Sequence, residues 1–175
     1  IERYCVWPGQ ATSYMVGQTR WVAIREKAKA ALGDKFDLRA FHDTALSKIV
    51  DYAYHALAID EYREDYAPTL WTETKPENLE VEQRWFIGAH CNVGGGYKDD
   101  ALCRLPARWL QDRAVGAGLA MTSLIALDGS EWRTPPRDSF KEFMWGLYKG
   151  LKGKPYLRTV DGTVNGWIDP SVWQR

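Results

Sequence analysis

The residues best placed for chemistry lie in Trp85-Phe86-Ile87-Gly88-Ala89-His90-Cys91-Asn92-Val93-Gly94-Gly95-Gly96-Tyr97. An apolar run ends in a histidine, and a loop with three consecutive glycines follows. The run Glu80 to Ala89 carries Val81, Trp85, Phe86 and Ile87 and is predicted as a strand that becomes buried toward its end. It would deliver His90 to the C-terminal edge of a sheet, where α/β proteins bind ligands. An imidazole there could take a nucleophile's proton and return it to a leaving group. The alternative is a loop histidine hydrogen-bonded to backbone, because glycine-rich loops after strands are common.

The neighbours of His90 are read as supporting residues. Catalytic Cys and His pairs are assembled in space rather than side by side in sequence, so Cys91 is not expected to act as nucleophile. Asn92 is expected to brace the backbone. The other histidines are His42 and His55, with no His-x-x-x-His pair, so neither a metal nor a cofactor is expected. His55 reads as a partly buried helix histidine. Asp60, Glu61 and Arg63 read as a solvated face with local ion pairs.

Positioning elements follow from periodicity and punctuation. Trp7-Pro8-Gly9 marks a turn, and a helix is predicted from Ala11 to Leu32, closed by Gly33. Asp37 would cap a second helix from Leu38 to Ser47, and a third is predicted from Ile49 to Glu61. Pro68 to Asn78 reads as loop, and His90 to Asp100 as a tight loop. Pro106 suits the first turn of a helix reaching Ala117. Asp128 to Arg137 is turn-like, Ser139 to Leu151 is predicted helical, and the tail after Gly153 is predicted extended or irregular. The order helix, loop, strand, loop, helix fits an α/β architecture.

The chain has 175 residues, 45% of them hydrophobic, which suffices for a sizeable core. Lys+Arg and Asp+Glu balance at 23 each, which argues against nucleic acid as a partner and against a polybasic membrane patch. Zero net charge and nine Trp make a homodimer an expectation. Three cysteines without CxxC spacing argue against a disulfide framework or zinc knot. No apolar window is long enough for a transmembrane helix and no signal peptide is read, so the location stays open, with a soluble chain, cytoplasmic as expressed, the expectation. Ile1-Glu2-Arg3-Tyr4 reads as mid-domain, so a fragment or processed product is expected.

Two resemblances divide the chain. Ala53 to Glu61, Tyr66-x-Pro-x-Leu-Trp71, Trp85 to Tyr97, Leu105-Pro106-x-x-Trp109 and Asp169 to Val172 occur in an order that resembles the α/β-hydrolase family containing type VI secretion phospholipase effectors. That likeness runs from about Ile49 to Arg175. Arg3 to Ala11, Tyr14, Gly17, Ala31 to Arg39, Phe41, His42 and Asp43 resemble the C-terminal end of a bacterial, mainly helical, zinc-peptidase-like family of unknown function.

The first resemblance implies that His90 is a triad histidine and that the substrate is a lipid or ester. It also implies that the Gly-x-Ser-x-Gly nucleophile and the acid lie upstream, in a section absent here. The second implies a metal motif that is likewise absent. The expected organisation is therefore a helical segment, 1–47, fused to a partial α/β-hydrolase domain, 48–175, with little hydrolytic power by itself. A non-catalytic self-associating module and a metal-free peptidase-like remnant are the alternatives. The junction near Ser47 to Val50 fits a natural fusion, an engineered recombinant or a misassembled sequence.

Overall fold

The structure is a computed structural model that describes residues 23, 25–37, 50–98, 100–160 and 163–174. The chain divides into two compact units, Ile1–Ala45 and Leu46–Arg175. In the first, residues 25–32 are helical and pass into a 3-10 turn, Gly33–Lys35. Gly33 has φ +53, a conformation that is inexpensive for glycine, where the helix is predicted to close. The Trp7-Pro8-Gly9 turn, the helix from Leu38 to Ser47 and His42 lie outside the described residues, as does most of the junction.

The second unit is mixed α/β. Strands β1 (Tyr52–Ala58), β2 (Glu80–Phe86) and β3 (Gly166–Ile168) form a parallel sheet in that order. β1 pairs β2 over seven residues, from Tyr52 opposite Glu80 to Ala58 opposite Phe86. The central strand β2 is almost continuously buried, as expected for a strand flanked on both sides in a parallel sheet. Gln83, fully buried at mid-strand, locks two neighbouring segments. Its Oε1 accepts from Trp71 N at 2.9 Å, and its Nε2 donates to the carbonyls of Trp71 and Val164. The loop at Trp71 and the segment leading into β3 are thereby tied to the sheet through one side chain.

Helix α1 (His90–Gly94) follows β2, and α2 (Arg104–Gly116) packs on the sheet. Trp109 of α2 meets Phe86 at 5.5 Å and Tyr54 edge-on at 6.0 Å between ring centroids. Leu57, Trp85, Phe86, Ile87 and Leu102 are each 2% exposed or less and form the core under the strand ends. The segment after α2 is fastened by polar side chains: Arg108 donates to Ile125 O, and Gln111 Oε1 accepts from Ile125 N. Among the described residues no helix is long and apolar enough to cross a membrane.

Three predicted elements differ. The predicted helix from Ile49 to Glu61 is strand β1. Its alanines suggest a helix, but a short run with Tyr52, Tyr54 and Ile59 satisfies either period, and pairing with β2 decides the matter. His55 is accordingly a strand residue. The predicted tight loop from His90 begins as α1. The single helix predicted from Ser139 to Leu151 is broken into α3 (Ser139–Glu142), a turn (Phe143–Gly146) and α4 (Leu147–Lys152). Met144 and Trp145 are left-handed, φ +52 and +53. Beyond that break, Tyr148 packs edge-on against Phe140 and donates to Asp65 Oδ2 at 2.8 Å. These contacts outweigh local helix propensity.

Candidate functional site

The site is built where β1 and β2 end. The strand pairing extends past both ends through Ile59 N to Phe86 O and Asp60 N to Gly88 O, each 3.0 Å. Asp60 Oδ2 accepts from Gly88 N at 2.8 Å, so a carboxylate holds the first turn after β2. Gly88 takes φ +110 there, and a Cβ on it would lie 2.4 Å from Asn92 Cβ.

Glu61 is the hub. Its side chain is fully buried, and every hydrogen bond it accepts points to the same few groups. Oε1 accepts from Arg63 N at 3.0 Å, Arg63 Nε at 2.8 Å and Ser139 Oγ at 2.7 Å. Oε2 accepts from Arg63 Nη2 at 2.9 Å and His90 N at 3.1 Å. Arg63, itself 4% exposed, lies 3.7 Å over the Tyr66 ring and 4.7 Å from the Phe143 ring. The Tyr66 ring in turn sits 5.2 Å from the His90 ring. A connected chain of contacts therefore runs from Glu61 through Arg63 and Tyr66 to the imidazole.

The predicted solvated face of Asp60, Glu61 and Arg63 is thus corrected: all three are buried. Once β1 is read as a strand, Glu61 and Arg63 fall two apart on an extended chain and can face the same way. That spacing was the available signal.

Asn92 supplies the second clamp. Its Oδ1 accepts from Ala89 N at 3.0 Å and Arg137 N at 3.2 Å, and its Nδ2 donates to Asp100 at 2.9 Å. The backbone-bracing role read from sequence is the role it has here. With the backbone held on both sides, the His90 side chain is free to be exposed.

His90 lines a cavity of about 490 Å³ together with His55, Leu57, Pro68, Leu110 and Arg158. Its remaining walls are Ala56, Ala58, Tyr66, Ala67, Val93 and Gly94. Cys91 is not among them, and neither is any Ser, Thr, Asp or Glu of the described residues. Apart from the Tyr66 phenol, the cavity therefore offers imidazoles and a guanidinium but no aliphatic hydroxyl, thiol or carboxylate. Arg158 escaped sequence reading because it stands alone in an extended Pro- and Gly-containing tail. Among the described residues no group of three His, Cys, Asp or Glu side chains could hold a metal ion.

Burial alone would push the Glu61 carboxyl up. Hydrogen bonds from the Arg63 side chain, Ser139 and the backbone N–H groups of Arg63 and His90 outweigh it and hold the pKa at about 2. Because the folded value lies below the ordinary 4.5, the stabilisation is complete above that pH and is lost as pH falls toward 2. The group contributes on the order of 3 kcal/mol at neutral pH, of which about 2 kcal/mol is gone by pH 3. Urea unfolding at pH 7, 5, 4 and 3 checks this. A steady loss beginning below pH 5 is expected, and a midpoint unchanged down to pH 3 would contradict the assignment.

Residues 1–48 match the model of a family described as "Bacterial protein of unknown function (DUF885)". No curated protein and no solved structure matches the chain. This corrects the resemblance drawn over Ile49 to Arg175: the match ends at residue 48 and lies in a different family, so kinship with secretion phospholipases has no support. In the second unit a clamped histidine faces a largely apolar cavity beside the C-terminal half of the edge strand β1.

Proposed function

We propose that the second unit carries an incomplete ester-cleaving site in which His90 is the proton-transfer group. The observation that supports this is the division of labour at His90. Its backbone N–H is held by the buried Glu61 carboxylate, while its ring stands exposed on a cavity that runs beside the C-terminal half of the edge strand β1. An imidazole held just after the C-terminal end of a strand, as His90 is after β2, can serve as general acid and base. The substrate suited to the cavity is a small lipid-like ester, since most of its walls are apolar.

The described residues bring no serine or cysteine nucleophile to the cavity, so efficient acyl transfer requires one from elsewhere. By itself the chain should cleave only activated esters, slowly, with the imidazole acting on water. Hydrolysis of p-nitrophenyl butyrate by the wild type is expected to exceed the buffer background. His90→Ala is expected to lose about 10²-fold of that excess. Its stability should change by less than about 0.5 kcal/mol, because the ring is exposed and the substituted residue keeps the backbone N–H that Glu61 holds. A fluorophosphonate probe should leave both proteins unlabelled. Equal ester rates in the two would remove the proton-transfer role.

A further inference from the structure

The cavity has a cationic end that proton transfer at His90 does not use. Arg158 donates from Nη1 to Ala58 O at 2.6 Å and from Nη2 to Tyr66 O. Its Nε is buried without a hydrogen-bond partner, and no carboxylate among the described residues forms an ion pair with it. His55, on the same cavity, has its Nδ1 buried and also without a partner. Buried polar groups are nearly always hydrogen-bonded, and the two side chains that carry these orphan atoms line the same cavity. His55 lies at the middle of β1, and Arg158 is pinned to the end of that strand through Ala58 O.

The rest of the cavity is apolar, with Leu57, Pro68 and Leu110 among its walls. A ligand matching both ends carries an oxyanion that accepts hydrogen bonds at one end and a short hydrocarbon at the other. We propose that the cavity binds an amphiphilic oxyanion, a carboxylate or phosphate head on a short apolar tail, with its head on Arg158 and His55. Burial lowers the pKa of both side chains, Gln83 partly offsets this at His55, and the nearby Glu61 partly offsets it at Arg158. An anion lodged beside them would favour their charged forms. The inference rests on the same cavity as the ester-cleaving reading and names the chemistry of what enters it. A carboxylate is also the product that ester cleavage at His90 would release.

Calorimetric titration of the full chain with hexanoate, hexyl phosphate and hexanol tests it. The tail is the same in all three and only the head differs. At least one anion is expected to bind about tenfold or more tightly than hexanol, because a charge-assisted hydrogen bond is the stronger kind. The tighter anion identifies the head as carboxylate or phosphate. Arg158→Gln should abolish the preference and Arg158→Lys should keep part of it. Equal affinity for anions and alcohol, no binding of any probe, or a preference surviving in a folded Arg158→Gln each overturns the proposal. Should Arg158→Gln not fold, the ratio measured on the wild type decides. The ester rate at His90 is read without these probes, so the two readings fail separately.

Discussion

Glu61→Ala is expected to destabilise the Leu46–Arg175 unit by about 3–5 kcal/mol, because it strands a buried charge. Five hydrogen bonds converge on this carboxylate, from Arg63, Ser139 and His90. Removing it leaves the Arg63 guanidinium, 4% exposed, without its ion-pair partner between two aromatic rings. Glu61→Gln should be nearly as damaging. Both carboxylate oxygens face donors, so the amide nitrogen of Gln would point N–H against either Arg63 and Ser139 or Arg63 and His90. Replacing the pair, as Glu61→Leu with Arg63→Met, should recover part of the loss, since isosteric apolar groups need no partner. Urea unfolding followed by tryptophan fluorescence compares the wild type with these variants. A cost below about 1 kcal/mol for Glu61→Ala would mean that the cluster is not held as described.

Gly88→Ala comes second, with an expected cost of about 3 kcal/mol, from a strained φ and a steric overlap together. At φ +110 an alanine is strained, and its Cβ would meet Asn92 Cβ at 2.4 Å and Cγ at 3.0 Å. Asn92 cannot swing aside cheaply, since it accepts from Ala89 and Arg137 and donates to Asp100. The displaced element is α1, and with it His90, so ester cleavage should fall along with stability. Gly95→Ala is the natural comparison. Gly95 also has a positive φ, +80, but nothing lies within 4 Å of an added Cβ. It should therefore cost only about 1 kcal/mol and leave the rate nearly unchanged. Equal effects at the two positions would contradict the packing of Asn92 against Gly88.

The contrast between these glycines shows what was legible in the sequence. Three consecutive glycines, Gly94 to Gly96, draw the eye, yet the sterically critical one is the isolated Gly88 inside the apolar run. Strand β2, the delivery of His90 to its C-terminal end and helix α2 could be read because burial, length and punctuation agree there. Strand β1 could not, since its seven residues carry alanines that suit either period and only pairing with β2 discriminates. The same ambiguity hides the site: Asp60, Glu61 and Arg63 look like surface charges on a helix but are buried beyond a strand end. The break at Met144 and Trp145 was hidden for a different reason. The contacts of Tyr148 with Asp65 and Phe140 that accompany it leave no local trace in sequence.

Arg158 marks the far limit of such reading. Its partners Ala58 and Tyr66 lie about a hundred residues upstream, on backbone carbonyls that no pattern of side chains could announce. The cavity it closes is therefore a property of the folded unit, whereas the histidine on its rim is a property of one strand and its end.

The central claim is that the His90 imidazole, held at the cavity by Glu61, transfers protons during ester cleavage. The most direct measurement is the rate of p-nitrophenyl butyrate hydrolysis by the wild type, His90→Ala and Cys91→Ser, each shown by thermal melting to be folded. Expected is an excess over background in the wild type, its loss by about 10²-fold in His90→Ala, and its retention in Cys91→Ser. The same rate in wild type and His90→Ala, or a loss that follows Cys91 instead, would contradict it.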